Sequence, residues 1–433
     1  MSGLTLIGDH HAVSELLENR PGSWDVVRFK GLFERIDRRN VDLTHEMLSL
    51  RSTGEVVARA EMGGRQEPDE ASLPKYLIAE IDDLVVNPMW LIGGGIGVSR
   101  RAGAVSPDYR VFRSRGALLP RFVHNLLRSQ PYLDQYLLYT RAQTTFDRRV
   151  QQPDLDNLPL PVPPLEEQRA IADYLDHETA RIDTLIEEQQ RLIEMLRERR
   201  GAVISHAVAR GVDETVALKD SGLPGAGPVP AHWEIMPLRY TIWFQEGPGI
   251  MAADFRDEGV PLLRVSSVRT ARSTLEGCNY LEPSEVDRRW SHFRVELGDL
   301  LISASASMGT VSEVTEETAG SVPYTGIIRI KPGGMHKDFI RWFVVSGEFI
   351  DQVDSLKTGS TIQHFGPTHL AQMRVALPPI DEQRRIAAYL DEQVAKIDRL
   401  IAETERFIEL ARERRSALIT AAVTGQINVR EVA

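Results

Sequence analysis

The chain has 433 residues, too many for one ordinary core, so two to four domains are expected. With 42% apolar and 26% charged residues it falls in the globular class, and its one cysteine, Cys278, excludes an internal disulfide and a thiolate metal cluster and fits a reducing cytoplasm. A formal net charge of −11 argues against a protein that coats nucleic acid non-specifically, and no run approaches the ~20 apolar residues that would span a bilayer.

The N-terminal MSGLTLIGDHH lacks the basic and then apolar stretch of a signal peptide, so export is not expected. A first domain is assigned to residues 1–162. Runs such as AEIDDLVVNPMWLIGGGIGV, rich in β-branched residues and broken by Gly and Pro, predict short strands joined by turns, whereas PRFVHNLLRSQPYLDQYLLY reads as helical. Asn87-Pro88-Met89-Trp90 superficially resembles the Asn-Pro-Pro-aromatic loop of amino-methyltransferases. Met89 replaces the second proline, however, and no glycine-rich cofactor fingerprint precedes it, so a turn is the better reading. Gly93, Gly94, Gly95 and Gly97 match no phosphate-loop spacing and predict a tight turn with close backbone approach.

Between Ser99 and Arg149 there are ten Arg against three Asp, a strongly basic stretch in an acidic protein. Arg100, Arg101, Arg110, Arg113 and Arg115, with Tyr109 and Phe112 among them, are the first candidate DNA contacts, because arginine both grips phosphate and pairs bidentately with guanine. A solvated charged face is the competing reading.

Residues 163–211 predict one long helix. Ile171, Leu175, Ile182, Leu185, Ile186, Leu192, Ile193, Leu196 and Val203 recur at steps of three, four and seven; Pro163 and Pro164 stand at the start, Glu166 and Glu167 in the first turn and Gly211 at the exit. Residues 212–230, including KDSGLPGAGPVP, read as a Gly- and Pro-rich linker, and residues 231–377 as a second domain of short strands and helices such as HKDFIRWFVVSGEFIDQVDSL. That domain carries slightly more acid than base, so charge does not mark it as a DNA binder. Ser360, Thr361, Gln363 and His364 form a polar loop suited to base edges, with Gln matched to adenine, although ordinary loop polarity explains it nearly as well.

Residues 378–425 predict a second long helix, followed by a tail at 426–433. The segment beginning PPIDEQRRIAAYLDEQ repeats the one beginning PPLEEQRAIADYLDHE, with 27 of 46 positions identical and no gap. A weaker echo relates PGSWDVVRFKGLF around Trp24 to PAHWEIMPLRYTI around Trp233. The chain is therefore two tandem units, each an α+β domain followed by a helix. The matching stripes, represented by Ile171, Leu175, Ile182 and Leu185 and by Ile386, Leu390, Ile397 and Leu400, are expected to mate in a coiled-coil-like seam. The runs Arg197, Arg199, Arg200 and Arg412, Arg414, Arg415 fit helical ion pairs or a surface near DNA or a partner. Neither a metal-ligand spacing nor a catalytic constellation is readable.

LPLPVPPLEEQRAIADYLD and VALPPIDEQRRIAAYLD resemble the start of the conserved helices in specificity subunits of type I restriction-modification systems. KDSGLPGAGPVPAHWE resembles the lead-in to their second target-recognition domain, and LVVNPMWLIGGGIGVSRRAGAVSPDYRVF and GSTIQHFGPTHLAQMRVALPP resemble stretches within those domains. The resemblance implies a pseudo-two-fold α+β molecule in which two target-recognition domains are separated by two long antiparallel helices, each domain reading half of a bipartite double-stranded DNA site. It also implies a non-catalytic chain that docks two methyltransferase subunits and restriction or translocase subunits. No cofactor is expected in this chain; S-adenosylmethionine, ATP and Mg would act in the partners. A nucleic-acid-modifying enzyme and a protein-binding coiled-coil scaffold without DNA specificity are the alternatives.

Overall fold

Each copy of the repeat is one unbroken helix, Leu165–Arg210 and Ile380–Val423, in the computed structural model of the chain. The structure describes residues 11–63, 69–140, 149–223, 227–304, 310–357 and 365–432. Acids occupy both first turns, where they complement the positive end of the helix dipole. Beyond the last turns Gly211 and Gly425 adopt φ of 76° and 73°, a left-handed stop that a side chain would strain.

Neither helix belongs to a single unit. The chain divides into Met1–Gln189 with Arg406–Ala433, and Gln190–Glu405, so each unit takes half of each helix. In the first unit Ile171 and Leu175 share a core with Ala422 and Val423, while Asp183 meets Arg415 at 2.8 and 3.1 Å, so the half-helices run antiparallel. The tail joins this core through Val429, and Arg430 lies 3.8 Å from Glu166. In the second unit Ile204, Ala207 and Val208 share a core with Ile386, Leu390 and Val394, and Arg200 pairs with Asp398 at 2.8 Å and Arg197 with Glu405 at 3.1 Å.

Six of the eight stripe residues singled out above are buried: Ile171, Leu175, Ile182, Ile386, Leu390 and Ile397. The expectation for the other two is corrected, since Leu185 and Leu400 are 37% and 49% exposed. They stand three residues after Ile182 and Ile397, at the border of the apolar stripe, and Ile186 and Ile401 at the i+4 positions turn inward instead.

The two domains repeat one plan. In the first, strands Phe33–Ile36, Arg110–Ser114, Leu84–Val86 and Ile96–Val98 lie in that order in an antiparallel sheet; in the second, Ile242–Glu246, Ile327–Pro332, Leu300–Ser303 and Val311–Glu313 do the same. A two-stranded ribbon leads each domain into its helix, Asp25–Arg28 with Pro159–Val162 and Glu234–Pro237 with Arg374–Leu377. Each ribbon follows a tight turn in which the Trp24 and Trp233 amides donate to Pro21 and Pro230, both at 3.0 Å, explaining the P-x-x-W echo. The segment read as a linker contains a two-stranded ribbon, in which Leu218–Asp220 pairs with Pro228–Pro230. A lone two-stranded ribbon has free edges, which is where proline is tolerated.

The repeated glutamine explains how helix and domain are joined. Gln168 donates to the Pro163 carbonyl at 2.8 Å and accepts the Leu119 amide at 2.7 Å, at the start of helix Pro120–Leu126. Gln383 donates to Pro378 at 2.9 Å and accepts the His336 amide at 2.6 Å, at the start of helix Lys337–Phe343. Both are fully buried, so each satisfies groups that water cannot reach.

Candidate nucleic-acid interface

The basic residues of the first domain are placed by its central sheet. Asp83, directly before strand Leu84–Val86, is buried and accepts the Glu80 amide at 2.9 Å. Arg113 from the neighbouring strand closes on it with two parallel hydrogen bonds, 2.8 and 2.9 Å, and the carboxylate holds the guanidinium more firmly protonated than usual. The pair fixes one edge of the guanidinium, while the Arg113 side chain stays 51% exposed. The second domain has a related clamp, in which Asp299 takes the Glu296 amide at 2.7 Å and buried Arg329 at 2.5 Å.

Tyr109 does not stand at the surface as expected. Its ring is buried with Leu48, Val105 and Val111, because the turn after strand Gly103–Val105 folds it under the sheet. Arg101 is exposed but paired with Glu61 at 2.8 Å, and exposed Arg115 lies 3.9 Å from Glu34. Arg110 is half-buried, and burial together with Arg35 and Arg149 lowers its pKa. The expected Ser360, Thr361, Gln363 and His364 lie outside the described residues.

A cleft of about 870 Å³ opens in the first unit between the domain and the helix pair, lined by Arg100, Arg101, Arg121, Arg128, Arg412 and Arg415 with Glu55, Asp82, Asp176 and Asp183 among them. Most of these arginines already have partners. Arg121 bridges Asp173 and Asp176, each at 2.7 Å, Arg415 holds Asp183, and Arg128 spans the carbonyls of Gly94, Ile96 and Ser52. His124 sits in the same cleft, where burial and the neighbouring Arg128 and Arg100 lower its pKa to about 4, so it is neutral near pH 7. The glycine run acts through packing: a Cβ on Gly97 would stand 1.8 Å from the Gly54 carbonyl oxygen, so only glycine lets these segments touch.

A second set of side chains faces solvent, among them Leu185 and Leu400, which were expected in the seam. Leu185, Met195, Leu400, Phe407 and Leu410 are exposed apolar residues on the long helices. Leu185 and Leu400 occupy equivalent places in the repeat, as do Met195 and Leu410. The recurrence was visible as apolar letters in both copies; their outward direction was not, because it depends on which stripe the partner helix covers.

A duplicated domain, each copy fastened by a buried glutamine to a shared helix pair, defines a tandem-repeat scaffold with an arginine-rich first domain. The family pattern of the type I restriction modification DNA specificity domain matches residues 122–195 and 287–409, once in each half. The type I restriction enzyme MjaVIII specificity subunit of Methanocaldococcus jannaschii is 23% identical over 307 residues, 69% of either chain. Among solved structures, a chain from a study of complex assembly and conformational transition of the type I R-M system superposes with a TM-score of 0.69 at 18% identity, covering 94% of this chain and 100% of that one. The HsdS subunit from Thermoanaerobacter tengcongensis superposes at 0.55 and 18%, covering 94% and 98%. In family pattern, relatives and fold the chain is similar to the specificity subunits of type I restriction-modification systems.

Proposed function

We propose that the chain reads a bipartite double-stranded DNA site, one half with each domain, and carries no catalysis of its own. The duplication supports this reading most directly: two domains of one topology, with different surface chemistry, suit two half-sites of different sequence. Methylation and cleavage then belong to partner subunits, two methyltransferases and the restriction or translocase subunits, together with their S-adenosylmethionine, ATP and Mg. The repeated outward residues Leu185 and Leu400, with Met195 and Leu410, supply equivalent apolar surfaces for two copies of one partner.

Selection of bound duplexes from a random pool, using this chain with its methyltransferase, tests the reading. The expected result is two short conserved sequences separated by a fixed, unread gap. Recovery of one continuous site, or of none, overturns it. Methyl transfer by the purified chain alone would overturn the non-catalytic part.

A further inference from the structure

The turn Asn87–Trp90 presents two large apolar side chains to solvent. Asn87 accepts the Met89 amide with its side chain at 3.1 Å and the Trp90 amide with its carbonyl at 3.0 Å, a rigid turn that raises Met89 and Trp90 into solvent. Trp90 is 48% exposed, an unusual place for so large an apolar ring. One side of its indole lies against Gly93, where an added Cβ would stand 2.3 Å from Nε1. The ring is thus backed by bare backbone and held in place before any ligand arrives.

Three arginines gather at the same end of the sheet. Arg110 is paired with Val86, the residue before Asn87. Arg35 lies opposite Phe112 on the adjoining strand, so by strand alternation it shares the face of Arg110 two residues away. Arg149 precedes Val150, whose amide donates to the Pro88 carbonyl at 3.0 Å. Arg35 and Arg149 are exposed, and both weaken the hold of Arg110 on its proton, with Asp156 the acid that opposes them. Nη1 of Arg110 is buried without a hydrogen-bond partner among the described residues. Such crowding of like charge is unfavourable in isolation and is relieved by an anion.

We propose that this end of the sheet is a DNA-contact site of the first domain, in which Arg35, Arg110 and Arg149 hold the phosphate backbone and Trp90 stacks its open side on a nucleotide. The assignment rests on the DNA-reading function proposed above and identifies the surface that carries it. It joins Arg110, already expected as a contact, to residues from three other segments of the chain. An exposed aromatic beside arginines suits nucleic acid, because the ring offers stacking area and the cations offer phosphate contacts.

The test uses the full chain bound to its methyltransferase and the duplex that the wild-type complex selects. Trp90→Ala should weaken binding about tenfold or more with an unchanged salt slope. Arg149→Ala and Arg35→Ala should each lower the slope of log affinity against log salt by about one. Trp90→Phe, which keeps a ring, should retain most of the affinity yet remove the DNA-dependent quenching of tryptophan emission shown by wild type. Wild-type affinity and slope in Trp90→Ala and Arg149→Ala overturn the site, as does quenching in Trp90→Phe equal to that of wild type. Loss of methyltransferase binding by the variants, with duplex affinity intact, reassigns the surface to a protein contact. A wild-type complex that selects no duplex overturns the DNA-reading function as well, whereas selection by wild type with indifferent variants overturns this site alone.

Discussion

Asp83 illustrates how a charge beside a basic cluster can serve the fold first. It is buried, receives the Glu80 amide and holds both guanidinium donors of Arg113. Asp83→Ala should therefore lower the melting temperature, by removing the acceptor of the Glu80 amide and of Arg113, while leaving the salt slope of DNA binding unchanged. A lowered slope at wild-type stability would place Arg113 on the contact surface. Titration separates two other residues. His124 has a folded pKa near 4, below its unfolded value, so the unfolded chain binds the proton more readily and stability falls as pH drops from about 6.5 toward 4. Glu348, buried at the start of helix Gly347–Lys357, has its pKa raised by desolvation to about 7, so the native state keeps the proton longer and stability falls as pH rises from about 4.5 to 7. Glu348→Gln should consequently raise the melting temperature at pH 8, by an amount on the order of 2 kcal/mol in stability, and change little at pH 5. Equal effects at both pH values would show that the carboxylate's charge is not what burial penalises.

At the scale of elements, the junction between domain and helix depends on one side chain per half. Gln383→Ala would leave the His336 amide and the Pro378 carbonyl buried without partners, and should destabilise the second unit by about 1–3 kcal/mol. Arg384→Ala, which removes only a solvent-exposed pair with Asp381, should leave the melting temperature within error. Similar losses from both changes would mean that Gln383 contributes nothing beyond the helix surface. The helices themselves were legible because a period near 3.6 persists for more than forty residues and Pro, acid and Gly mark the ends. The strands were far less so. Leu77–Ala79 and Gly103–Val105 are three residues each and pair across more than twenty residues of chain, so neither local pattern announces its partner. The burial of Tyr109 and the capture of Arg113 depend on such non-local pairing, which explains why a run of arginines could be located in the sequence but not sorted into free and committed residues. Leu185 and Leu400 failed for a different reason: the stripe has a border, and spacing alone does not say on which side of it a leucine falls.

For the whole molecule, the decisive feature is that equivalent residues make equivalent bonds. Arg200 occupies the place of Arg415 in the repeat, and Asp183 the place of Asp398; the structure pairs Arg415 with Asp183 and Arg200 with Asp398. A fragment ending near Gly211 keeps Asp183 and Arg200, so two copies can form the same bond twice about a two-fold axis. Ala207 and Val208 would then supply the apolar surface that Ala422 and Val423 give the first unit. Val429 and the Arg430–Glu166 contact have no counterpart in the fragment, so the dimer should be weaker than the intact chain. With its methyltransferase this dimer should select a palindromic site whose halves both match the first domain's target. Sedimentation provides the sharper check: Asp183→Arg in the fragment should abolish dimerisation by placing like charges together, and adding Arg200→Asp should restore it by reversing each pair. A single variant that still dimerises, or a double variant that does not recover the dimer, with each protein folded by circular dichroism, would show that this ion pair does not set the register of the helices.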